Sequence, residues 1–225
     1  MTSHMYTPTR SSQRALLLTS VALPLTGWTL HAVLLYRQLA ATKRDPLTGL
    51  LRRDAYTTRA RQILRRHGDG TAVVMVDADH FKAINDTEGH AAGDTVLMTL
   101  ADRLTAWAGE GAAIGRLGGD EFAIVLNLPR GQRVQRLQRL MQLLHTPTVL
   151  EDGRLIDVAA SVGAATPDGI GTRDLPALQR AADAALYDGK HSGQAQLAGQ
   201  HHRTVPSING RRAGRPGTAA WGRAA

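Results

Sequence analysis

Two glycines followed by two acids, Gly118-Gly119-Asp120-Glu121, stand between two short apolar runs of the sequence. Each run has the length of a buried strand, and the glycines supply the positive φ angles that a tight hairpin turn requires. The pattern therefore predicts that Asp120 and Glu121 lie at a rigid turn beside bare backbone. Glycine lets a polyphosphate approach the chain, while carboxylate oxygens are ligands for Mg²⁺. A hairpin with a polar tip and no chemistry is the alternative that this motif alone leaves open.

A second acidic cluster follows the apolar, β-branched segment 71–76, which we interpret as a buried strand. Asp77 and Asp79 are two residues apart, so an extended chain places them on one face, at a strand end where ligands commonly bind. Nucleotide-bound Mg²⁺ takes one or two protein carboxylates, a need that Asp77 and Asp120 meet if their strands are neighbours. Lys82 is placed to meet phosphate charge. The alternative is that Asp77 and Asp79 only cap a helix N-terminus and lie in a solvated turn. Of the two, Asp79 is the better candidate for such a structural role.

Asn85 and Asp94 belong to a polar segment that precedes a helical pattern, in which large apolar residues from Leu97 to Trp107 share one face. An amide and a carboxylate suit a guanine edge, because the carboxylate accepts from the ring N–H and the exocyclic amine while the amide offers a donor. The alternative is that these polar residues only stabilise a turn in the loop and cap the N-terminus of the following helix.

Six segments together resemble the GGDEF family of diguanylate cyclases, in that family's order and spacing over residues 45–194. They are residues 45–50, 77–82, 85–94, 116–122, 161–163 and 182–187 with Lys190. The resemblance implies an α/β (α+β) fold with a palm-like, mixed to antiparallel central sheet covered by helices. It also implies an enzyme that condenses two GTP into cyclic di-GMP and releases pyrophosphate. Each domain holds one GTP, so this activity requires a homodimer.

The resemblance also assigns catalytic and metal-binding roles. Asp77 and Asp120 are similar to the family's Mg²⁺ ligands, together with the backbone carbonyl of Ala78, and Mn²⁺ is the alternative metal. Asp120 also matches the acid that receives the proton of the ribose 3′-hydroxyl, and Glu121 supports the metal or the nucleotide. Lys82 resembles the residue that steadies the transferring phosphate.

The substrate contacts implied by the resemblance come from three segments. An amide and a carboxylate match the family's guanine-binding residues, and a histidine lies between them in the sequence. A lysine near the end of the domain matches a phosphate-binding residue, and the hairpin glycines let the polyphosphate approach. These predicted substrate-binding residues are Asn85, His90, Asp94, Lys190, Gly118 and Gly119.

Three positions depart from the family's pattern. Residues 109–112 read Gly-Glu-Gly-Ala, without the arginine and aspartate of the family's inhibitory product site, so we do not expect feedback inhibition there. Gln194 replaces an arginine and cannot offer its charged bidentate fork, which predicts weaker triphosphate binding. Arg52 replaces an asparagine, a change that we interpret as structural and tolerated. A regulator that binds GTP or cyclic di-GMP without catalysis is the alternative function.

The net charge of +8 is unevenly distributed along the chain. Residues 45–194 contain 17 Lys and Arg against 19 Asp and Glu, whereas residues 1–44 and 195–225 each contain five basic residues and no acid. The excess of positive charge therefore lies in the two ends of the chain, and a nucleic-acid-binding core is not indicated. The sequence has no cysteine, which excludes disulfides and thiolate metal sites.

Residues 15–36 are almost all apolar or small and carry no formal charge. At about 1.5 Å per residue, this segment is long enough to cross a hydrocarbon core of ~30 Å, and we predict a single transmembrane helix. A cleaved signal peptide is one alternative, although export would separate the domain from GTP, and a buried core helix is another. The slight excess of Lys and Arg after the span, together with the need for GTP, favours a cytoplasmic catalytic domain at the bacterial inner membrane.

These observations divide the chain into five parts. They are a short external segment 1–14, the span 15–36, a helical linker 37–44, the catalytic domain 45–194 and a basic disordered tail 195–225. Within the domain we predict a strand over 155–165, a helix over 175–187 and a helical core stripe made of Val134, Leu137, Met141 and Leu144. In the tail, His201 and His202 could hold a stray metal ion, but the abundance of Gly, Ala and Arg favours a flexible polar segment.

Overall fold

A computed structural model describes residues 43–190 and 194–204 of the 225-residue chain, together with Trp28 and His31. The chain divides into two compact units, Met1–Lys43 and Arg44–Ala225. The site-bearing segments all belong to the second unit.

The first unit contains the predicted membrane span. Trp28 and His31 are helical. The rest of residues 15–36 lies outside the described part of the chain, as do the predicted segment 1–14 and most of the linker 37–44. Among the residues that are described, no helix has both the length and the apolar character needed to cross a membrane.

The second unit is built on strands that form one large and one small sheet. The strands are β1 (Leu51–Arg52), β2 (Thr71–Ala78), β3 (Ala113–Gly118), β4 (Glu121–Asn127), β5 (Thr148–Val149), β6 (Leu155–Ile156), β7 (Ala160–Ala165) and β8 (Gln196–Leu197). The large sheet has the order β1-β3-β4-β2-β7-β8, and β5 pairs with β6 separately. Each adjacent pair among the four inner strands is antiparallel, while β1 and β8 are parallel to their neighbours at the two edges. The predicted mixed sheet is therefore confirmed.

Helices cover both faces of the large sheet. They are α1 (Arg53–His67), α2 (Phe81–Glu88), α3 (His90–Ala108), α4 (Arg133–Leu144), α5 (Pro167–Ile170) and α6 (Leu175–Gly189). One apolar cluster joins the sheet to α3 and α4, and a second joins it to α1 and α6. The predicted helix over 175–187 is thus confirmed as α6.

The central strand β2 shows why the chain forms three layers. All eight of its residues are buried, because helices cover both of its faces. Val74 and Val76 belong to the cluster with α3 and α4, whereas Val73 and Met75 belong to the cluster with α1 and α6. This alternation continues to Asp77 and directs its side chain toward the face that α6 covers.

The predicted core stripe of α4 is wrong at its first position. Leu137, Met141 and Leu144 are buried, but Val134 is 66% exposed. The buried place in the first turn belongs instead to Arg133, whose guanidinium donates to the Asp168 carboxylate at 2.8 Å. A charged side chain can take this place because its donors find partners.

The predicted strand over 155–165 is also corrected. The chain forms β6 and β7 there, and residues 157–159 belong to neither. β6 pairs with β5 in the small sheet, and only β7 enters the large sheet. The apolar run therefore serves two sheets, which its periodicity does not reveal.

The prediction of a disordered tail from residue 195 is wrong for residues 196–204. β8 pairs with β7, and the chain then forms a 3₁₀ turn, Gln200–Thr204. The edge of β7 offers unpaired backbone groups, and Ala198 satisfies one of them by donating to Ala164 O at 2.7 Å. Residues 205–225 lie outside the described part of the chain.

Candidate active site

Asp77 lies at the end of β2, in the middle of the large sheet, and is only 4% exposed. In the sheet register it is opposite Glu121 of β4 on one side and Ser161 of β7 on the other. The condition that the sequence left open, that β2 and the hairpin strand be neighbours, is met. A buried carboxylate is costly without compensating charge or hydrogen bonds, so this position calls for a ligand or a cationic partner.

The β3–β4 hairpin presents its acids beside the end of β2. Gly119 has φ 49°, in the left-handed region that favours glycine. Gly118 is the last residue of β3 and does not have a positive φ, so the prediction of positive φ at both glycines is wrong. A register shift between Arg116 and Gly118 supplies the remaining change of direction. The Arg116 Nε–H donates to Gly119 O at 2.8 Å and holds the turn.

A second contact of Arg116 fixes the hairpin to the start of the domain. Its Nη1 lies 3.1 Å from Oδ1 of Asp45, a carboxylate that also accepts from the backbone and hydroxyl of Thr48. Burial alone would raise the pKa of Asp45, but the hydrogen bonds from Thr48 and Arg116 outweigh it and hold the pKa below its ordinary value. Asp45 therefore stays ionised and keeps Arg116 in place.

One backbone hydrogen bond joins the two acidic motifs. The Ala78 N–H donates to Asp120 O at 3.2 Å. Asp120 is therefore bonded to the residue that follows Asp77, and both Asp120 and Glu121 are half-buried. The structure thus brings together, at one end of β2, the residues predicted as metal ligands.

Lys190, the residue after α6, supplies the cation at this site. Its Nζ lies 2.7 Å from Oδ1 of Asp77 and 3.5 Å from Oδ1 of Asp79. Asp79 in turn accepts from the Ser161 hydroxyl through both carboxylate oxygens, at 2.8 and 2.9 Å. Asp79 is anchored to β7, which agrees with the structural role predicted for it.

The alternative of an N-cap for the acidic pair is wrong. α2 begins at Phe81, and its N-cap is His80, which makes no side-chain capping bond. His80 has φ 56°, a left-handed conformation that few residues other than glycine adopt. This tight corner separates the acids from the helix and keeps them at the end of the sheet.

The predicted guanine readers lie on two helices that pack together, α2 and α3. A Cβ built on Gly93 would lie 2.0 Å from Oδ1 of Asn85, so the Asn85 amide rests directly on bare backbone of α3. Asp94 is the next residue and is exposed. α3 begins at His90 with Gly89 as its N-cap, so the N-cap alternative for Asp94 is wrong. The amide and the carboxylate therefore occupy neighbouring places on one surface.

Lys82 and His90 occupy exposed positions on α2 and α3. Lys82 stands in the first turn of α2, shortly after the acidic corner, and His90 is the first residue of α3. Neither side chain forms a hydrogen bond or ion pair within the part of the chain that is described, so both are open to a ligand.

Residues 42–196 match the sequence profile of the family described as "Diguanylate cyclase, GGDEF domain". The chain belongs to the GGDEF family. Two relatives illustrate the range of similarity. A 19.3 kDa protein encoded in the repSA 5′ region of Streptomyces ambofaciens is 46% identical over 168 residues, which cover 75% of this chain and 89% of that protein. The diguanylate cyclase DgcN of Escherichia coli is 35% identical over 76% of this chain, but the match covers 42% of DgcN.

Solved structures of GGDEF domains share this fold. The GGDEF domain of TpbB from Pseudomonas aeruginosa superposes with a TM-score of 0.63 and 34% identity, covering 71% of this chain and 96% of that one. A sensory box/GGDEF family protein from Caulobacter crescentus gives a TM-score of 0.59 and 35% identity, covering 67% and 99%. The predicted family and the predicted mixed sheet covered by helices are confirmed.

The donor set of this GGDEF domain suits a hard divalent cation. Asp77 and Asp120 provide carboxylates at the same end of the sheet, and Ala78, the residue after Asp77, has a backbone carbonyl that could serve as a further oxygen ligand. Mg²⁺ accepts one or two carboxylates and completes its shell with phosphate and water oxygens. The presence of the Lys190 ammonium at 2.7 Å shows that positive charge is accommodated beside Asp77.

Two contacts of this GGDEF domain were missed by sequence reasoning. The first is the Ser161 hydroxyl on Asp79, and the second is the Lys190 ammonium on Asp77. Both residues lie in segments that the motif comparison singled out, but their partners are 82 and 113 positions away along the chain. Gln194, the departure from the family's arginine, is exposed.

Proposed function

We propose that this protein is a membrane-anchored diguanylate cyclase that condenses two GTP into one cyclic di-GMP and two pyrophosphates. The observation that carries the proposal is the buried Asp77 carboxylate beside the Asp120 hairpin, within a GGDEF domain. The relatives DgcN and TpbB, both named diguanylate cyclases, support the same reaction class.

The bound GTP is oriented by the surface between α2, α3 and the hairpin. Asp94 accepts from the guanine ring N–H and exocyclic amine, and Asn85, held against Gly93, offers its amide to the same edge. The triphosphate lies along the β3–β4 turn, where a Cβ on Gly118 would meet no atom of the described residues within 4 Å beyond its chain neighbours. His90 and Lys82 are exposed beside this path and contribute polar and positive groups.

In the reaction, the 3′-oxygen of one GTP displaces pyrophosphate from the α-phosphorus of the other. Asp120 accepts the proton of the attacking hydroxyl, and Glu121 supports the same group from the adjoining position of β4. Mg²⁺, or alternatively Mn²⁺, bound by Asp77, Asp120 and the Ala78 carbonyl would lower the hydroxyl pKa and balance charge on the leaving group. Lys190 and Lys82 add positive charge for the phosphates, and the rigid sheet end supplies positioning.

Two copies of the domain must face each other, because each holds one of the two GTP that react. We therefore infer a homodimer as the active form. The apolar segment 15–36 supports a single-pass anchor in the bacterial inner membrane with the catalytic domain in the cytoplasm, where GTP is available.

Product formation tests this proposal. The full chain in lipid nanodiscs is incubated with GTP and Mg²⁺, and nucleotides are identified by mass. We expect cyclic di-GMP from the wild type, a rate per protein that rises with protein density in the disc, and loss of at least about 100-fold in Asp120→Asn. Asp102→Asn, which changes an exposed carboxylate on α3, is the matched control and should keep the wild-type rate. Bound GTP without product in the wild type would instead support the non-catalytic regulator.

A further inference from the structure

Residues 194–204, the return segment, pass over the end of α6 after the chain leaves Lys190. A Cβ built on Gly189 would lie 2.8 Å from Cγ of Gln196, so the segment crosses directly on the last residue of α6. Further along, the Gln200 amide donates to Gly169 O at 2.8 Å, and the 3₁₀ turn packs against α6. The return segment is therefore part of the folded domain and lies next to Lys190.

His202 makes the polar connection between the return segment and α6. It is 6% exposed, its Nδ1 accepts from the Gly199 N–H at 2.9 Å, and its Nε2 lies 3.0 Å from Oδ2 of Asp188. A neutral imidazole has one lone pair and one N–H. Because the Gly199 N–H occupies the lone pair of Nδ1, the proton resides on Nε2 and is donated to Asp188.

This proton assignment argues against a metal at the same place. Within the described residues, Asp188, His201 and His202 bring three potential ligand atoms within 4.8 Å of one another. A metal would need the Nε2 lone pair of His202, but Nε2 carries the proton while Nδ1 accepts from Gly199. The cluster as folded is a hydrogen-bonded clamp.

We propose that His202 is a positioning residue that acts through Lys190 on the catalytic carboxylate Asp77. Asp188 lies in the last turn of α6, two residues before Lys190, and the clamp fixes this turn to the return segment. The backbone N–H of Lys190 donates to Tyr187 O at 3.3 Å at the end of the helix. The side-chain ammonium of the same residue reaches Asp77. Since helix ends fray unless they are held, the clamp determines where this ammonium lies.

The inference rests on the proposed function, because its consequence is measured on cyclic di-GMP formation. Two substitutions at one position separate the two hydrogen bonds. In His202→Gln the amide nitrogen reaches the place of Nε2 and still donates to Asp188, whereas His202→Asn keeps only the acceptor for Gly199. We expect His202→Asn to lower kcat/KM by about tenfold and His202→Gln to restore most of the activity. His201→Asn, at the exposed neighbouring histidine, should stay within about twofold of wild type.

A second pair of variants avoids the buried histidine. The Asp188 side chain is 57% exposed, so substitution there leaves the core intact. Asp188→Asn keeps an oxygen acceptor for His202 and should retain activity. Asp188→Leu removes the acceptor and should lower kcat/KM as much as His202→Asn does.

A double-mutant cycle with Lys190→Met decides whether the effect travels through Lys190. If it does, adding His202→Asn or Asp188→Leu to Lys190→Met changes kcat/KM by less than about twofold. If the losses in kcat/KM multiply instead, the clamp has a general structural role and the proposal is overturned. A loss of activity in His201→Asn that added Zn²⁺ reverses would also overturn it, because that result would mean a metal site. If the wild type forms no product, the proposed function has failed, and the same cycle measured on the Kd for GTP still tests the link.

Discussion

The ammonium of Lys190 lies 2.7 Å from Oδ1 of Asp77, although the two residues are 113 positions apart in the chain. The contact joins the end of α6 to the end of β2, at the point where the hairpin acids arrive. Lys190 therefore balances the charge of a buried carboxylate. Under the proposed function, its ammonium would also meet phosphate charge when GTP binds.

Lys190→Met removes the ammonium and leaves the buried Asp77 carboxylate without this cation. Because Lys190 is partly exposed, we expect the free energy of unfolding to fall by about 1–3 kcal/mol, less than for a fully buried pair. Mg²⁺ should restore the charge balance and raise the Tm of Lys190→Met more than that of the wild type. Thermal unfolding with and without Mg²⁺ measures both effects. Equal Mg²⁺ shifts in the two proteins would contradict a metal at Asp77.

Gly93→Ala should disturb the guanine contact and spare the fold. The new Cβ would meet Oδ1 of Asn85 at 2.0 Å and must displace the amide, whereas alanine is the better residue for the helix by about 1 kcal/mol. We expect the KM for GTP to rise about tenfold with a smaller change in kcat. Gly131→Ala, where a Cβ would meet no neighbouring group of the described chain within 4 Å, is the matched control for steady-state kinetics. An unchanged KM in Gly93→Ala would remove Asn85 from the substrate site.

Gly163→Ala should destabilise the domain more than Gly93→Ala does. A Cβ at this position of β7 would lie 2.0 Å from Ala182 O and 2.3 Å from Leu186 N, both in the backbone of α6. Helix backbone cannot move aside as a side chain can, so we expect a loss of about 3 kcal/mol or more.

Gly118→Ala provides the contrasting case. Gly118 has no positive φ, and a Cβ there would lie in open space, so the free energy of unfolding should change by less than about 0.5 kcal/mol. The rate of cyclic di-GMP formation should nevertheless fall. Chemical denaturation and product assays on the two variants separate the structural glycine from the functional one. Full activity in Gly118→Ala would show that the triphosphate does not approach the turn.

The Arg133–Asp168 pair predicts how the domain responds to acid. The hydrogen bond from Arg133 lowers the pKa of Asp168 from 3.8 to about 2, against the opposing effect of burial. Since the folded-state pKa is depressed, the stabilisation is present above about pH 4 and is lost as the pH falls toward 2. Asp168→Asn should therefore be less stable than wild type at pH 7, and the difference should shrink steadily below about pH 4 and be mostly gone at pH 2. Acid titration followed by circular dichroism tests this, with Asp102→Asn as the control, and a difference at pH 2 as large as that at pH 7 would contradict the assignment.

The sequence predicts the elements that have a clear apolar period. The run from Thr71 to Val76 predicts a buried strand, and the glycines before Asp120 predict the hairpin, so each acidic motif could be placed at the end of a strand. That the two strands are neighbours is known only from the structure. These are local patterns with strong physical causes, namely burial on both faces and a tight turn.

Contacts between distant segments are not encoded in any local pattern. Nothing in the sequence around Lys190 shows that its ammonium reaches Asp77, because that depends on how α6 packs across the sheet. The same holds for β8, whose two residues gain their strand conformation only from the open edge of β7. At Val134 the helical period is correct, but a hydrogen-bonded Arg133 takes the buried place in the first turn.

The most direct test of the central claim is cyclic di-GMP formation by the full chain with Asp77→Asn beside the wild type. The substitution keeps the shape of the buried side chain and removes the charge that would bind the metal. With GTP and Mg²⁺, the wild type should release two pyrophosphates for each cyclic di-GMP, and Asp77→Asn should lose at least about 100-fold in rate while its Tm shows that it is folded. Cyclic di-GMP formed by Asp77→Asn at the wild-type rate would contradict the assignment of this end of the sheet as the active site.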